Sequence, residues 1–409
     1  MKRLRRVVLV NDAAVARGGA TGLSLSLALW LRERGLEVTF VHALDEGNDG
    51  LRQAGVEMVK LPGEHIGGRR SLGTAAAGLY NSAAAAGLQR WIADNDDEGT
   101  VYHVHGWSKA LSPAIFTAFG TARRRLLVHC HDFFNACPNG AYMDYQAMEA
   151  CALTPLSMAC LVRRCDKRSH VQKLWRVARQ ALLLRTFGDR TEVPLLLIHR
   201  SMSKGLERAG FSPDVLHEVR NPVVPFVDER VRAEDNSTVL FAGRIEREKG
   251  AGDLALAARK AGVPLVMVGE GPQRAEIAER FPEVQLTGWL DRDGLREQAL
   301  KARLLVLPSR YPEPFGLVAL EALGSGVPVA LSAMAFLAPE VVERGMGLSF
   351  RSGDTDALAA VLARVATGTD EVAAMSHAAR TKAFELCTTP AGWVDRQIAL
   401  YDRRLEKAA

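Results

Sequence analysis

The sequence contains no apolar run of the roughly 18–20 residues that a membrane-spanning helix needs. Hydrophobic residues make up 48% of the 409 residues and charged residues 24%, which is ordinary for a globular protein. The start has a basic head, but its apolar run is shorter than a signal-peptide core and ends at Asn11 and Asp12. We therefore expect a first β-strand here and a cytoplasmic protein.

Two nucleotide-binding signatures are also missing after this first apolar run. The loop contains Gly18-Gly19 before a helical pattern, but it lacks both the G-x-G-x-x-G spacing and the Lys-Ser/Thr of a P-loop. This disfavours dehydrogenases and P-loop ATPases. A Gly-Gly pair at a helix start still lets backbone amides approach a phosphate closely, although such a pair is often only a turn.

A strong overall charge is absent as well, because the formal net charge is only +5. The balance is uneven: residues 1–200 carry 26 Lys/Arg against 18 Asp/Glu, and the remainder carries 26 against 29. A basic first half suits an anionic surface or acceptor. The sequence lacks the interleaved basic and aromatic residues that are typical of nucleic-acid binding. We therefore predict no nucleic-acid partner.

What the chain does contain is a regular alternation of short β-branched runs with helical patterns, in both halves. This pattern and the length predict an α/β protein with two doubly wound, Rossmann-like domains facing a central cleft. We expect an N-terminal domain over 1–218 with a cysteine-bearing insert near 130–168, a second domain over 219–388, and a final helix over 389–409 that crosses back. The predicted strands are Val7–Val10, Val38–Val41, Val101–Val104, Leu126–His129, Leu195–Ile198, Val239–Ala242, Leu265–Val268, Val284–Leu286, Leu304–Leu307 and Val327–Leu331. The predicted helices include Thr21–Arg34, Leu72–Ile92 and Val171–Leu184.

The most informative segment places Glu313 and Glu321 eight positions apart around a Phe-Gly turn. If a helix starts near Gly316, the amides of Phe315, Gly316 and Leu317 point out of its amino end and can meet an anion or a hydroxyl. Alone, this spacing favours a plain helix with an acidic start. Acceptors on either side of bare amide donors are what a nucleotide-sugar needs.

Three further glycine-bearing loops follow predicted strands of the second half. Arg244 and Lys249 come after the first, where a guanidinium and an ammonium can both reach a diphosphate. Gly269-Glu270 follows the next strand, and Gly288-Trp289-Leu290 follows the third. Each is an ordinary turn by itself, but ligands bind at the carboxyl ends of strands in such folds.

Taken together, these motifs resemble those of the retaining glycosyltransferases of family 4, which have a two-domain GT-B fold. The resemblance rests on Gly243-Arg244…Lys249-Gly250, Gly269 to Pro272, Gly288-Trp289, Glu313…Glu321 and Ala322 to Val329. It implies that Arg244 and Lys249 hold the donor diphosphate, that Glu321 accepts the ribose hydroxyls and that Glu313 binds the transferred sugar. It also implies that Gly18 and Gly19 close over the phosphates, and that Gly269, Glu270, Trp289 and Leu290 border the nucleotide.

The N-terminal half offers two histidine pairs at strand ends, His103/His105 and His129/His131. The resemblance implies a histidine followed by an acidic residue facing the transferred sugar, and His131-Asp132 fits best, with His129 as the alternate. We expect His131 and Glu313 to be catalytic, and His103, His105 and His129 to line the acceptor side. For His103 and His129, a satisfied polar residue near a sheet edge is an equal alternative.

Cys137, Cys151, Cys160 and Cys165 lie in one segment and could hold a structural zinc ion. No Cys-x2-Cys knuckle is present, so scattered reduced cysteines are the competing interpretation. The family pattern of Gly-Gly before Pro339-Glu340 is also missing here, which weakens any inference about the donor sugar from that loop.

The stretch Arg163–Arg190 is rich in basic residues and predicts an amphipathic helix with an apolar side made of Leu174, Trp175, Val177, Ala178, Ala181 and Leu182. Such a helix suits an anionic membrane surface, on the inner face of the plasma membrane, or else packs its apolar side on the core.

The function that these patterns favour is transfer of a sugar from a nucleoside diphosphate sugar to a saccharide hydroxyl, lipid-linked or free, in bacterial polysaccharide or glycoconjugate synthesis. No Asp-x-Asp stands where a divalent ion would be required, so we expect catalysis without a metal cofactor. A nucleotide-sugar epimerase of the same fold and a non-catalytic sugar-nucleotide or polysaccharide-binding protein remain alternatives.

Overall fold

The computed structural model describes residues 3–16, 18–67 and 71–408. Within them the chain forms two compact units. The first comprises residues up to 142, residues 152–219 and the tail from 391, and the second comprises 143–151 and 220–390. The short segment 143–151 lies in the predicted cysteine-bearing insert, but it groups with the second unit.

The first part of the chain alternates strands and helices as the β-branched runs predict. Its strands are β1 (Arg6–Val10), β2 (Glu37–His42), β3 (Glu57–Lys60), β4 (Thr100–Val104), β5 (Leu126–Cys130), β6 (Met143–Asp144), β7 (Glu149–Ala150), β8 (Leu195–Leu197) and β9 (Leu216–Glu218). Its helices are α1 (Gly19–Glu33), α2 (Asp49–Gln53), α3 (Leu72–Leu79), α4 (Ser82–Asn95), α5 (Met158–Val162), α6 (His170–Phe187) and α7 (Ser203–Arg208).

The seven-stranded parallel sheet of the first unit has the order β3-β2-β1-β4-β5-β8-β9. The chain leaves β1 first towards β2 and β3 and later returns to its other side as β4, so the strand order reverses between β1 and β4. Ligands of doubly wound folds bind at the carboxyl ends of strands beside such a reversal. The residues just after β1, β4 and β5 therefore lie where a ligand of such a fold binds.

The final helix, α15 (Pro390–Ala408), supplies part of the core of the first unit. Its Trp393 and Tyr401 are fully buried in a cluster with Leu9, Leu27 and Leu31. Burying side chains of this size stabilises a fold by about 2–3 kcal/mol each. The amphipathic pattern of the tail therefore reflects packing on this core.

One predicted helix is wrong in its continuity. The stretch Leu72–Ile92 forms two helices, α3 and α4, because Asn81 interrupts it. The Asn81 side chain accepts a hydrogen bond from the Ala84 N–H and so caps α4. Its amide also donates to the carbonyls of Pro62 and Ala110, at 2.8 and 3.1 Å. Asparagine competes for backbone partners in this way, which favours a helix start over a helix interior.

The second unit repeats the alternation of strands and helices. Its strands are β10 (Thr238–Ala242), β11 (Leu265–Val268), β12 (Gln285–Gly288), β13 (Ala302–Leu307), β14 (Val329–Ser332) and β15 (Gly347–Phe350). Its helices are α8 (Ala251–Ala261), α9 (Arg274–Arg280), α10 (Arg292–Leu300), α11 (Leu317–Gly324), α12 (Ala338–Glu343), α13 (Thr355–Thr367) and α14 (Thr369–Lys382). Short 3₁₀ turns across both units occupy Pro113–Thr117, Gly120–Arg125, Arg200–Met202, Pro213–Val215, Ala233–Asp235, Arg247–Lys249 and Ala383–Glu385.

The six-stranded parallel sheet of the second unit has the order β12-β11-β10-β13-β14-β15. Its strand order reverses between β10 and β13. The ten predicted strands are all present. The sequence analysis missed five strands. Strands β3, β9 and β15 lie at sheet edges, where short and half-exposed segments lack a continuous apolar run, and the two-residue strands β6 and β7 pair only with each other. Among the described residues, no helix is both long enough and apolar enough to span a membrane.

Candidate functional site

Glycines bring backbone segments into direct contact beside β10 in the second unit. Gly269 has φ +135°, and a Cβ there would lie 1.9 Å from the carbonyl oxygen of Gly243. Gly250 has φ +72°, and its Cβ would lie 2.1 Å from the carbonyl oxygen of Pro308. No other residue type fits either position without moving backbone. The glycines of the predicted loops therefore hold the carboxyl ends of the central strands together.

Lys249 and Glu313, which the sequence analysis assigned to different parts of the donor, are in direct contact. The Lys249 ammonium donates to Glu313 Oε2 at 2.7 Å and to the Tyr311 hydroxyl at 2.7 Å. The Ser309 hydroxyl donates to the same carboxylate at 2.9 Å. Only 16% of the Lys249 side chain and 12% of the Glu313 side chain are exposed. A charge-assisted cluster of this kind fixes both charged groups in place.

The protonation states of Glu313 and Tyr311 follow from this environment. Burial opposes ionisation of Glu313, but the Lys249 charge and the hydrogen bonds from Lys249, Tyr311 and Ser309 outweigh it, so the Glu313 pKa lies below its ordinary value. Burial, reinforced by the Glu313 charge, raises the Tyr311 pKa well above its ordinary range. Glu313 is thus an anion and Tyr311 a neutral phenol at neutral pH.

Arg244 is the more open of the two predicted cations. Its side chain is 65% exposed and pairs with Glu246 at 2.8 Å. An exposed pair of this kind is worth little and is readily exchanged for another anion. Arg244 is therefore accessible to a ligand anion, whereas Lys249 reaches one only by sharing or leaving Glu313.

Helix α11 begins as expected, with Gly316 in the left-handed conformation (φ 66°, ψ 55°) at its amino end. Glu321 lies inside the helix, and burial raises its pKa to about 7, against a weaker opposing effect of Arg292. Backbone bonds between Glu313 and Met334 and between Phe336 and Glu313, at 3.2 and 3.1 Å, tie the turn before the helix to the loop after β14. The loop that lacks the family Gly pair therefore positions Glu313.

The remaining predicted donor-side residues lie at the ends of β11 and β12. Gly288 ends β12, and a Cβ there would lie 2.9 Å from Glu270 Oε1, so the two loops touch. Glu270 is exposed, Trp289 is 76% exposed and Leu290 is half-buried. An aromatic face open to solvent at this edge is available to stack on a planar base.

The first unit brings all four predicted histidines together. His103 lies on β4 and His105 follows it, while His129 lies on β5 and His131 follows it. Residues two apart on a strand share a face, and β4 pairs with β5, so the rings stack. The centroids of His129 and His131 are 4.4 Å apart, and His105 Nδ1 lies 3.0 Å from His131 Nε2. Burial lowers the pKa of His131 to about 4.

A cavity of about 70 Å³ opens beside this cluster and is lined by Asp12, His105, His129, His131 and Asp132 among others. Ala20 and Thr21, at the start of α1, also line it, next to the exposed Gly18 and Gly19. His103 is fully buried and is not part of the cavity wall. The acceptor-side role of His103 stays a prediction, and the complete burial of its side chain gives it no support.

The four cysteines predicted to hold zinc do not form a ligand cluster. The Cys160 and Cys165 sulfurs lie 3.4 and 3.2 Å from the buried Lys173 ammonium. The Cys137 thiol donates to Asn139 at 3.2 Å, and Cys151 groups with the second unit. Across the described ranges, no three cysteine sulfurs lie within 4.8 Å of one another. A cation is already supplied here by Lys173, and zinc on these cysteines stays a prediction.

The predicted apolar side of helix α6 is not the side that packs on the core. Leu174, Ala178 and Ala181 are exposed, whereas Lys173 and Arg179 are buried. The Arg179 guanidinium donates to the carbonyls of Gly78 and Ser108 at 2.8 and 2.7 Å, so its burial is satisfied by hydrogen bonds. The pattern of apolar residues could not show that Lys173 and Arg179 have hydrogen-bond partners in the protein interior.

Several contributing residues were missed at the sequence level. Tyr311 and Ser309 complete the Glu313 cluster, and their only signal is their spacing of two and four residues before Glu313. The Asp12 carboxylate accepts from the N–H groups of Lys109, Ala110 and Leu111, at 2.8, 2.8 and 3.0 Å. It thereby holds the loop after His105. Such long-range contacts have no local pattern.

Part of the chain matches a known family. Residues 226–382, which contain Arg244, Lys249, Glu313 and Glu321, match the family described as Glycosyl transferases group 1. Glycogen synthase of Mycobacterium tuberculosis (strain CDC 1551 / Oshkosh) is 34% identical over 167 residues, which are 38% of this chain and 39% of that protein. The match thus spans about two fifths of the length of this curated relative.

Solved structures resemble the whole chain. The crystal structure of Anabaena HepE in complex with UDP has a TM-score of 0.68 and 18% identity, covering 97% of this chain and 99% of that one. Sucrose-phosphate synthase from Thermosynechococcus elongatus has a TM-score of 0.69 and 19% identity, covering 99% and 100%. At these identities the likeness shows the fold, and the predicted GT-B class is confirmed.

Proposed function

We propose that the protein is a retaining glycosyltransferase that moves a sugar from a nucleoside diphosphate sugar to a hydroxyl of a saccharide acceptor. The observation that carries this proposal is the Lys249–Glu313–Tyr311 cluster, which lies beside the strand reversal of the second unit and inside the segment matched to Glycosyl transferases group 1. A buried carboxylate next to an ammonium offers both an acceptor for sugar hydroxyls and a charge for phosphate.

In this proposal the donor occupies the edge formed by the loops of the second unit. Arg244 binds the diphosphate as a fork, and Lys249 adds a compact charge. Glu321 accepts from the ribose hydroxyls, and the amides of Phe315, Gly316 and Leu317 face the sugar or the distal phosphate. Gly269, Glu270, Trp289 and Leu290 border the base. Support for a nucleoside diphosphate comes from the UDP bound to HepE, a protein of the same fold.

The proposed step breaks the bond between the anomeric carbon and the phosphate oxygen, whose electron pair leaves with the diphosphate. The acceptor oxygen forms the new bond on the same sugar face, and its proton passes to the departing phosphate oxygen. Arg244 and Lys249 neutralise the leaving group, so the step needs no metal ion. His131 is neutral because burial lowers its pKa, so it offers the sugar a hydrogen bond rather than a charge. Gly18 and Gly19 contribute amides at the start of α1.

The test is acceptor-dependent release of nucleoside diphosphate. We expect purified protein to release it from a nucleotide-sugar only when a saccharide acceptor is present. An epimerase would interconvert sugars without an acceptor, and a binding protein would do neither. A melting-temperature screen against GDP, UDP and ADP identifies the base first, because a ligand of the native state raises the melting temperature.

A matched pair of arginine variants tests the site assignment. Arg244→Ala should lower kcat/KM by roughly 10²–10³-fold, because it removes charge stabilisation of the leaving group. Arg232→Ala is the control, since the Arg232 side chain lies in the same unit and is 70% exposed in a surface pair. Full transfer activity in Arg244→Ala would refute the proposed donor site.

We further propose that the acceptor is lipid-linked and that the first unit contacts an anionic membrane surface. Four apolar side chains on α5 and α6 are strongly exposed, and basic residues lie between them. They are Met158 (74%), Val162 (69%), Val171 (78%) and Leu174 (48%). Exposed apolar side chains with nearby cations are typical of interfacial binding.

Liposome binding tests the membrane proposal. Binding to vesicles containing phosphatidylglycerol should weaken as salt rises, and Val171→Glu should reduce it several-fold. Val342→Glu is the control, because Val342 is an exposed helical valine of the second unit. Equal effects of the two variants, or no binding at low salt, would remove this proposal.

A further inference from the structure

The imidazole cluster of the first unit has more nitrogen atoms than hydrogen-bond partners. His103, His105 and His129 are 0%, 7% and 2% exposed, and their ring centroids lie 4.1, 5.0 and 5.4 Å apart. The closeness follows from the sheet. His103 and His105 share a face of β4 and its extension, and His129 lies on the neighbouring strand β5.

Only two of the three rings make a hydrogen bond, and each of these two uses only its Nδ1 atom. His103 Nδ1 lies 2.7 Å from the Tyr401 hydroxyl, and His105 Nδ1 lies 3.0 Å from His131 Nε2. Within the described part of the chain, His103 Nε2, His105 Nε2 and both nitrogens of His129 are buried without a partner. Buried polar atoms without partners are rare in native proteins, because each costs about 1–3 kcal/mol. Here they converge.

We propose that His103, His105 and His129 form a binding site for a divalent late transition metal ion such as Zn²⁺. Each ring offers one ligand nitrogen, and these atoms lie within 4.8 Å of one another. Tetrahedral zinc with bonds of about 2.0–2.1 Å needs ligand atoms roughly 3.3 Å apart. Ion binding would therefore draw the three nitrogens together from separations of up to 4.8 Å.

The protonation state of the rings favours this ligand. A metal-binding imidazole must be neutral, and burial together with neighbouring histidines lowers the pKa of all three well below the ordinary value. Three nitrogen ligands without a carboxylate select zinc, cobalt, nickel or copper over magnesium or calcium. The adjoining cavity, which His105 and His129 also line, leaves room for a water molecule as a further ligand.

The outer hydrogen bonds are those that metal-bound histidines normally make. With Nε2 on the ion, His103 carries its proton on Nδ1 and donates to Tyr401, and His105 donates to His131 Nε2. The second bond would set the tautomer of His131, with its own proton on Nδ1. The ion would thus organise the histidine cluster, separately from the neutralisation of the leaving group proposed for Arg244 and Lys249.

Cobalt spectroscopy on the full chain, purified free of metal, tests the site directly. About one equivalent of Co²⁺ should give visible d–d bands of nitrogen coordination without a thiolate-to-cobalt charge-transfer band, which would indicate the cysteines instead. Zn²⁺ should displace the cobalt and raise the melting temperature. A wild-type protein that shows neither the visible bands nor the shift overturns the proposal, whatever its transferase activity.

Variants locate the ion. His129→Phe keeps an aromatic ring in the stack but removes a ligand. Zn²⁺ affinity should therefore fall by at least about 100-fold, more than the loss of a hydrogen-bond partner of a ligand causes. His42→Phe is the matched control, because His42 is also buried with an unpartnered Nε2 but lies outside the cluster. If His129→Phe does not fold, Tyr401→Phe retains all three ligands and should weaken Zn²⁺ by about 10–100-fold. Unchanged affinity in the variant that folds refutes the assignment.

Discussion

Both sheets reverse their strand order beside a central strand, at β1/β4 in the first unit and at β10/β13 in the second, but the side chains placed there differ. The second unit holds a charged cluster in which Lys249, Glu313, Tyr311 and Ser309 satisfy one another. The first unit holds neutral imidazoles that stack, with several nitrogens unpartnered. The same fold position thus supports either fixed charges or neutral ligand atoms.

The two clusters depend on different interactions for their stability. A buried ion pair is held by its own attraction and suffers when one partner is lost. A group of neutral imidazoles is stabilised by packing and by a few hydrogen bonds at its edge. A ligand that binds its unpartnered nitrogens would stabilise it further. Three substitutions test these expectations, two at the clusters and one at the buried Glu321.

The largest expected effect is on the charged cluster. Lys249→Met leaves the Glu313 carboxylate buried without its cation and should lower the free energy of unfolding by about 3–5 kcal/mol, measured by chemical denaturation. Arg259→Met is the control, because the Arg259–Glu283 pair is 46% and 48% exposed, so water screens it and its loss should change stability far less. Similar losses in both variants would show that the Lys249 pair is not a buried one.

The next largest expected effect is the pH dependence of stability that comes from Glu321. Burial raises the Glu321 pKa to about 7 from an ordinary value of 4.5, so the folded state binds this proton more tightly than the unfolded state. Stability from this group is therefore present below pH 4.5 and is lost as pH rises towards about 7, by up to ~3 kcal/mol.

Comparing Glu321→Gln with the wild type over this pH range isolates the effect, because glutamine does not titrate. The difference in unfolding free energy between the two should grow in favour of the variant between pH 4.5 and 7. A parallel curve for Glu321→Gln would mean that this carboxyl titrates normally.

The smallest effect concerns the rim of the histidine cluster. Tyr401→Phe removes the hydroxyl that pairs with His103 Nδ1 and should cost about 1 kcal/mol in metal-free protein, by thermal or chemical unfolding. Tyr80→Phe, at a 42% exposed tyrosine of the same unit, should leave stability unchanged. A loss well above that of a single hydrogen bond would indicate that α15 anchors the cluster more strongly than one contact suggests.

Local sequence patterns predicted much of the fold, because they reflect local causes. Short β-branched runs become buried strands, and Gly316 begins α11 as the Phe-Gly turn indicated. The break at Asn81 and the buried face of α6 were predicted wrongly, since both depend on carbonyl groups distant in sequence, such as Ala110 for Asn81 and Ser108 for Arg179. A local window contains no trace of those partners.

The candidate site divides in the same way. The donor loops were predicted from their glycines and from the order of Arg244, Lys249, Glu313 and Glu321. Glycine is required where two backbone segments approach closely, and the carboxyl ends of parallel strands lie at one edge of a sheet. The pairing of Lys249 with Glu313, however, joins residues far apart in sequence.

The two α/β units, their strand-end loops and the kinds of side chain in those loops follow from local patterns in the sequence. Only the tertiary structure decided which of these side chains meet: an ammonium with a carboxylate in one unit, and three imidazoles in the other. The physical reason is that periodicity and glycine requirements act between neighbours in the chain. Ion pairing, burial and the pKa values that follow from them depend on neighbours in space.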